Sequence, residues 1–376
     1  MGIPSVENAK NLYGKRVFVR VDFNVPLKDG LILNDFRIKA AMQTISFLVR
    51  SGAKVILATH LGGKNGSNLE QVSLHLKNLL PHAYIPVTDF VVISDHISKM
   101  ENGQVVMLPN LRFWAGEERG DERFAAELSK LADIFVNEAF AVSHRNHASI
   151  ILLPKLLPSY AGIRFLKEIE NLSLAFNPEE PFLFILGGAK FQTKEPLISK
   201  FLNKSADVFV GGALANDFFA ELGYETGRSL LSPPPRDISE EILKNKKLLL
   251  PVDVTVQDLG KNSCIKKPGE VKAEEKIVDV GPETVSLLKD KAEKAKLVIW
   301  NGPLGLYEEG FTKETEELAI AVAESVAFSI VGGGDTAASI ARLDLESAFD
   351  FFSTGGGAML EFLVKETLPG IDVLKL

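Results

Sequence analysis

Short apolar runs alternate with amphipathic stretches along almost the whole chain. The runs fall at Val17–Val21, Val55–Thr59, Val105–Leu108 and Ile134–Asn137, then at Phe182–Leu186, Val208–Val210, Leu297–Trp300, Ala327–Val331 and Asp350–Ser353. Unbroken apolar runs of this length predict strands buried on both faces. Between them, apolar residues return at helical spacing. Ile38, Met42, Ile45, Leu48 and Val49 mark one helix, with Gly52 as its C-terminal cap. Phe124, Leu128 and Leu131 mark another, and Pro282 opens a third where a missing N–H costs nothing. Strand–helix alternation of this kind predicts an α/β fold with two mostly parallel sheets.

The chain's 376 residues exceed one ordinary core, which predicts two domains. Leu166, Ile169, Leu172 and Phe176 share one helical face, and Asn177-Pro178 ends it. A helix over 162–176 is therefore the expected join. Hydrophobic residues make up 46% and charged residues 24%, too apolar for disorder. The net charge of −7 excludes a generally basic nucleic-acid surface, so any cationic site must be local. The lone Cys264 can form neither an internal disulfide nor a cysteine metal cluster. Met1–Lys10 has no apolar signal core and no run is long enough to span a bilayer, which makes a reducing cytoplasm the expected location.

In open α/β sheets, ligands bind where strands end. The ends in the first half are polar and often cationic: Arg20, Asp22 and Asn24; Thr59-His60-Leu61-Gly62-Gly63; Asn110-Leu111-Arg112; and His144-Arg145-Asn146-His147, with Arg37 opening a helix. One such arginine reads as a surface ion pair. Several at successive strand ends of an acidic chain read as a phosphate or carboxylate site, which the guanidinium fork matches.

The second half runs its strands into glycine instead: Gly187-Gly188, Gly211-Gly212, Gly302 with Gly305, Gly332–Gly334 and Gly355–Gly357. Each precedes an expected helix start, where backbone N–H groups bind phosphate. Lys190 and Lys194, four residues apart, fall on one face if that turn is helical. Their mutual repulsion would become attraction around a polyphosphate. Asp335 either caps a helix or approaches magnesium, and the residues alone leave both open.

Two other classes compete. Gly332–Ala337 fits a dinucleotide fingerprint, but the next strand ends in Ser353-Thr354-Gly355, without the acidic residue needed for the ribose. No P-loop or protein-kinase signature occurs. A non-catalytic or altered-substrate binder of nucleotide or phosphosugar would not need a second anion site.

Arg20-Val21-Asp22-Phe23-Asn24-Val25-Pro26, Gly187-Gly188-Ala189-Lys190, Trp300–Gly305, Gly332–Thr336 and Ser353–Ala358 together resemble the signatures of phosphoglycerate kinases, in order and over nearly the whole chain. The resemblance implies two Rossmann-like domains joined by an interdomain helix and hinge. Residues 1–165, with a returning tail at 366–376, would bind 3-phosphoglycerate, and residues 166–365 the magnesium nucleotide. It implies reversible phosphoryl transfer from 1,3-bisphosphoglycerate to ADP by a hinge-bending cytoplasmic monomer. Asp22, Asn24, Arg37, His60, Gly63, Arg112 and Arg145 fall at glycerate positions. Lys194, Glu308, Gly333, Gly334, Asp335 and Thr336 fall at nucleotide positions, with Asp335 towards Mg2+. Arg37, Lys190 and Gly356 fall where the moving phosphoryl group is met.

The chain also departs from the pattern. Where S-H-L-G-R-P is usual, Thr59-His60-Leu61-Gly62-Gly63-Lys64 has glycine in the arginine position. Lys64, a point charge and not a fork, is the nearest replacement. Glu138 and Ala141 replace a usual aspartate and glycine, Pro109 a common glutamate, and the chain is short for the family.

Overall fold

The computed structural model describes residues 2–63, 66–189, 191–204, 206–234 and 238–375. Lys64 and Lys190 lie outside the described residues. The chain divides into two compact units, Met1–Glu170 with Thr367–Leu376, and Asn171–Glu366.

In the first unit the strands are β1 (Arg16–Arg20), β2 (Leu27–Lys28), β3 (Leu31–Ile32), β4 (Lys54–Ala58), β5 (Ala83–Tyr84), β6 (Val105–Met107), β7 (Ile134–Asn137) and β8 (Ser159–Ala161). Six form one sheet in the order β5-β6-β4-β1-β7-β8, parallel throughout, and β2–β3 is a small hairpin. Both faces are covered, which is why the strands read as continuous apolar runs. Val17, Val19, Val55 and Leu57 pack under Ile38, Ile45 and Leu48 of the helix Phe36–Arg50. On the other face Phe18, Ile56 and Phe135 meet Ile93, Phe124 and Leu128. Gly52, at φ +71°, follows the first helix as its C-terminal stop.

Register sets the working edge. Arg20 lies opposite Ala58 and Asn137, so the residues after β1, β4 and β7 leave the sheet side by side. Glu138, next after β7, is buried and holds the start of the helix Ile163–Ser173. It accepts from Thr44 Oγ1 (2.6 Å), Arg164 N (3.1 Å) and Phe165 N (3.2 Å). The tail returns to this unit: Leu368, Ile371 and Leu374 are buried, and Gly370 N donates to Ser143 O at 2.8 Å.

The second unit carries β9 (Phe182–Leu186), β10 (Asp207–Val210), β11 (Leu248–Leu249), β12 (Val254–Gln257), β13 (Ser263–Lys266), β14 (Lys276–Val280), β15 (Leu297–Asn301), β16 (Phe328–Gly332) and β17 (Phe351–Ser353). Its main sheet is parallel, in the order β11-β10-β9-β15-β16-β17. A separate antiparallel sheet, β13-β12-β14, has no counterpart in the apolar pattern. Its edge strand β13 is mostly exposed and includes Cys264, so burial leaves no apolar run there. Among the described residues, no helix is long and apolar enough to cross a membrane.

Candidate active site

The cationic edge of the first unit is built from loops that hold one another. Arg37, on the first turn of its helix, reaches back to Asp22 Oδ2 (2.9 Å) and Asn24 O (3.1 Å). Asn24 Oδ1 accepts from Gly62 N at 3.0 Å, tying the exit of β1 to that of β4. Asn110 Nδ2 donates to Leu61 O and Ser67 O, each at 2.8 Å, and so closes the loop containing Gly63. Arg112 donates to Gly62 O and Gly63 O and pairs with Glu118 at 3.0 Å. Its charge therefore lies over the Gly62-Gly63 turn. A side chain at Gly63 would meet nothing within 4 Å. Arg145 is exposed.

Behind this edge is a buried network the sequence did not reveal. Arg20 donates to Ser149 Oγ (2.9 Å) and Val21 O (2.7 Å). Glu117 accepts from Ser149 N (3.0 Å) and Ser149 Oγ (2.6 Å), and lies 3.8 Å from His147 Nδ1. Burial pushes the Glu117 carboxyl up, against the pull of Arg20 and the serine bonds. His60 is pushed down to about 2 by burial and by the charges of Arg20 and Arg112, and His147 to about 4 by burial and the same two arginines. Both imidazoles are therefore neutral near pH 7. They can donate or accept hydrogen bonds while the arginines supply the charge.

In the second unit the strand exits approach backbone to backbone. A methyl on Gly302 would stand 2.5 Å from the Gly187 carbonyl carbon, and one on Gly212 2.6 Å from Gly188 N. Both positions also need positive φ, +101° and +62°. The helices Ala213–Glu221, Gly334–Ala341 and Gly357–Lys365 begin after Gly212, Gly333 and Gly356, and no side chain caps any of the three. Leu214 N in the first of them donates to Gly188 O at 2.8 Å; helix starts without a side-chain cap are suited to an anion. Thr336 Oγ1 accepts from Gly302 N at 3.0 Å, joining two of these turns. Lys194 is nearly buried and donates from Nζ to Gly187 O, so it lies along the strand exit and not on an open face. The Asp335 carboxyl is pushed up by partial burial and by Glu308 nearby, which makes a cation welcome there. Beside Gly212 lies a narrow, largely apolar cleft, walled by Ala213, Phe219, Leu230, Leu304 and Leu306.

One parallel α/β unit ending in guanidinium and imidazole groups, and another ending in uncapped, glycine-initiated helices, define a two-domain protein of the phosphotransferase class. The family model described as phosphoglycerate kinase matches residues 6–366, and the chain belongs to the phosphoglycerate kinase family. It is 42% identical to the phosphoglycerate kinase of Dictyoglomus turgidum, covering 97% of each chain. It is 40% identical to that of Borrelia garinii subsp. bavariensis, covering the full length of both. Among solved structures, the phosphoglycerate kinase of Pyrococcus horikoshii OT3 superposes with a TM-score of 0.87 at 33% identity, over 98% of each chain. That of Coxiella burnetii gives 0.84 at 36%, over 99% of each.

Proposed function

We infer that this protein catalyses reversible phosphoryl transfer from 1,3-bisphosphoglycerate to ADP, giving 3-phosphoglycerate and ATP. The observation that carries this reading is a family match running from residue 6 to residue 366. It takes in both kinds of strand end, and a non-catalytic binder would have no use for the pair.

Each chemical role follows from charge. Asp22, Asn24, Arg37, His60, Arg112 and Arg145 hold the glycerate, with the arginines on its phosphate and carboxyl groups. Asp22 holds Arg37 at 2.9 Å and keeps its fork aimed. The helix starts at Gly333–Thr336 and Gly356–Gly357 hold nucleotide phosphates and the moving group through backbone N–H. Lys194 supplies an ammonium, for which phosphate competes with Gly187 O. Lys190 and Arg37 neutralise the transferring oxygens. The apolar cleft takes the base, and Glu308 the ribose. No general base is needed, because each acceptor is already an ionised carboxylate or phosphate. Asp335 is the residue that would hold Mg2+, since one carboxylate with phosphate oxygens and waters is the usual magnesium set. Bound there, the ion would neutralise phosphate charge. Direct transfer also requires water to be kept out, and we assign closure to the segment 162–176. A cytoplasmic monomer fits the reading, and sedimentation velocity checks the monomer.

A coupled assay with 3-phosphoglycerate, ATP and magnesium tests the activity. ATP consumption no higher than background would overturn it and leave the binder.

A further inference from the structure

The turn at 187–191 opens the helix Phe191–Asn203, which carries Lys194. Polar groups outside the site described above hold the chain on both sides of Lys190. Asp217, on the helix Ala213–Glu221, is wholly buried. Both of its carboxylate oxygens turn to one residue: Oδ1 accepts from Ser232 N and Oδ2 from Ser232 Oγ, each at 2.8 Å. A hydroxyl that donates to Asp217 keeps its lone pairs free to accept. That oxygen receives Phe191 N, the first amide of the helix, over 3.4 Å, and stands 3.5 Å from Ala189 O. These are long contacts, and neighbours reinforce them. Gln192 Nε2 donates to Pro233 O at 3.2 Å, and the Phe191 ring meets Phe218 edge to face with centroids 6.0 Å apart. On the near side of the turn, Gly188 O is held by Leu214 N of the same helix as Asp217.

We propose that Asp217 and Ser232 are positioning residues for the nucleotide phosphates: the carboxylate orients the serine hydroxyl, and the hydroxyl fixes the turn that presents Lys190 and Lys194. This role rests on the reading above that those lysines meet the nucleotide and the moving group. Both Asp217 and Ser232 are buried, so they act through the turn and not on a substrate. Two ammonium groups four residues apart repel one another. The turn therefore needs an outside hold to keep both aimed at one ligand before that ligand arrives. Misplacement by about 1 Å in a transfer site can cost roughly a hundredfold in rate.

Ser232→Ala removes the hydroxyl and leaves the backbone bond to Asp217. In the phosphorylation of 3-phosphoglycerate its kcat is expected to fall about tenfold, the rate equivalent of one lost hydrogen bond, with the KM for 3-phosphoglycerate unchanged. Asp217→Asn should lose a similar factor, because its amide would donate to the serine oxygen and turn the hydroxyl away. The double variant should lose little more than either alone, since both act on one path. A kcat within about twofold of wild type in folded Ser232→Ala overturns the proposal, and so does a folded double variant whose losses multiply. A merely structural pair would lower the urea midpoint and spare the kcat of the folded enzyme. Isothermal titration separates the positioning role from the reading beneath it. Ser232→Ala should weaken ATP several-fold and leave adenosine, which has no phosphates, unchanged. Equal weakening of both ligands would place the damage away from the phosphates and overturn the role. Should the wild type turn over no 3-phosphoglycerate, the transfer reading fails and the titration alone decides. Loss of ATP and not of adenosine then keeps the hold on the turn, and no loss removes it.

Discussion

Arg20 and Glu117 are both wholly withdrawn from solvent, and the guanidinium Nη2 stands 3.7 Å from the carboxylate Oε1. Neither touches the exposed edge of the first unit, yet Glu117 also holds Ser149 and flanks His147, and Arg20 acts on both imidazoles. A charge buried without its partner destabilises by about 3–5 kcal/mol. Glu117→Ala is expected to lower the unfolding free energy of the first unit by about 3 kcal/mol. Glu117→Gln, which keeps an acceptor for Ser149, should cost less. Urea unfolding followed by a probe in that unit checks both. Equal stability of Glu117→Ala and wild type would mean that Arg20 is solvated or paired otherwise.

Acid should loosen the first unit before it affects bound charge. The folded pKa of His147 is about 4, below the ordinary value of 6.5, so between those values the unfolded chain binds more protons. The stability contributed by neutral His147 is complete above pH 6.5 and is lost as pH falls towards 4. His60 extends the loss to about 2. Denaturation midpoints at pH 7.5 and 5 should differ in that direction, and His147→Gln should reduce the difference. A midpoint that rises on acidification would contradict the assignment of neutral histidines.

Gly63 offers an unobstructed place for a further arginine on the cationic edge. Its backbone does not need positive φ, and a side chain there meets nothing within 4 Å. Gly63→Arg should change stability by no more than about 0.5 kcal/mol, as for other unobstructed surface sites. The KM for 3-phosphoglycerate should fall several-fold, most clearly at low salt. A KM that rises or stays fixed would show that Arg112, through Gly62 O and Gly63 O, already fills the place.

Gly302→Ala should harm the nucleotide unit through geometry alone. The added methyl would meet the Gly187 carbonyl carbon at 2.5 Å, and the residue would keep φ near +101°. Overpacking of this kind costs about 1–3 kcal/mol. The KM for ATP should rise, while isothermal titration with 3-phosphoglycerate should be nearly unchanged. Equal damage to both ligands would refute a local effect.

The parallel strands were legible because burial on both faces writes itself into the sequence as an unbroken apolar run. Phe182–Leu186 and Ile134–Asn137 are the clearest cases. Strand β13, Ser263–Lys266, is exposed along most of its length and leaves no such trace. The arginines after the strands announced a cationic edge, but not that Arg20 turns inward while Arg145 faces solvent. Glu117 belongs to a helix of five residues, Ala115–Arg119, too short for periodicity to separate it from exposed Glu118. Lys194 suits an open helix face by spacing, and only the fold brings Gly187 O within its reach. Asp217 did leave a signal, as a charged residue inside the apolar helix Ala213–Glu221.

The returning tail has a consequence for the order of synthesis. Residues 367–376 leave the ribosome after every residue of the second unit, yet they are part of the first. Gly370 N is bonded to Ser143 O, and a methyl on Gly370 would come 3.0 Å from Ile150, in the same segment as Ser149. A nascent chain can complete its nucleotide unit while Ser143 and Ile150 still lack the tail that packs against them. The half of the enzyme begun first is finished last, when Leu368, Ile371 and Leu374 become buried against it.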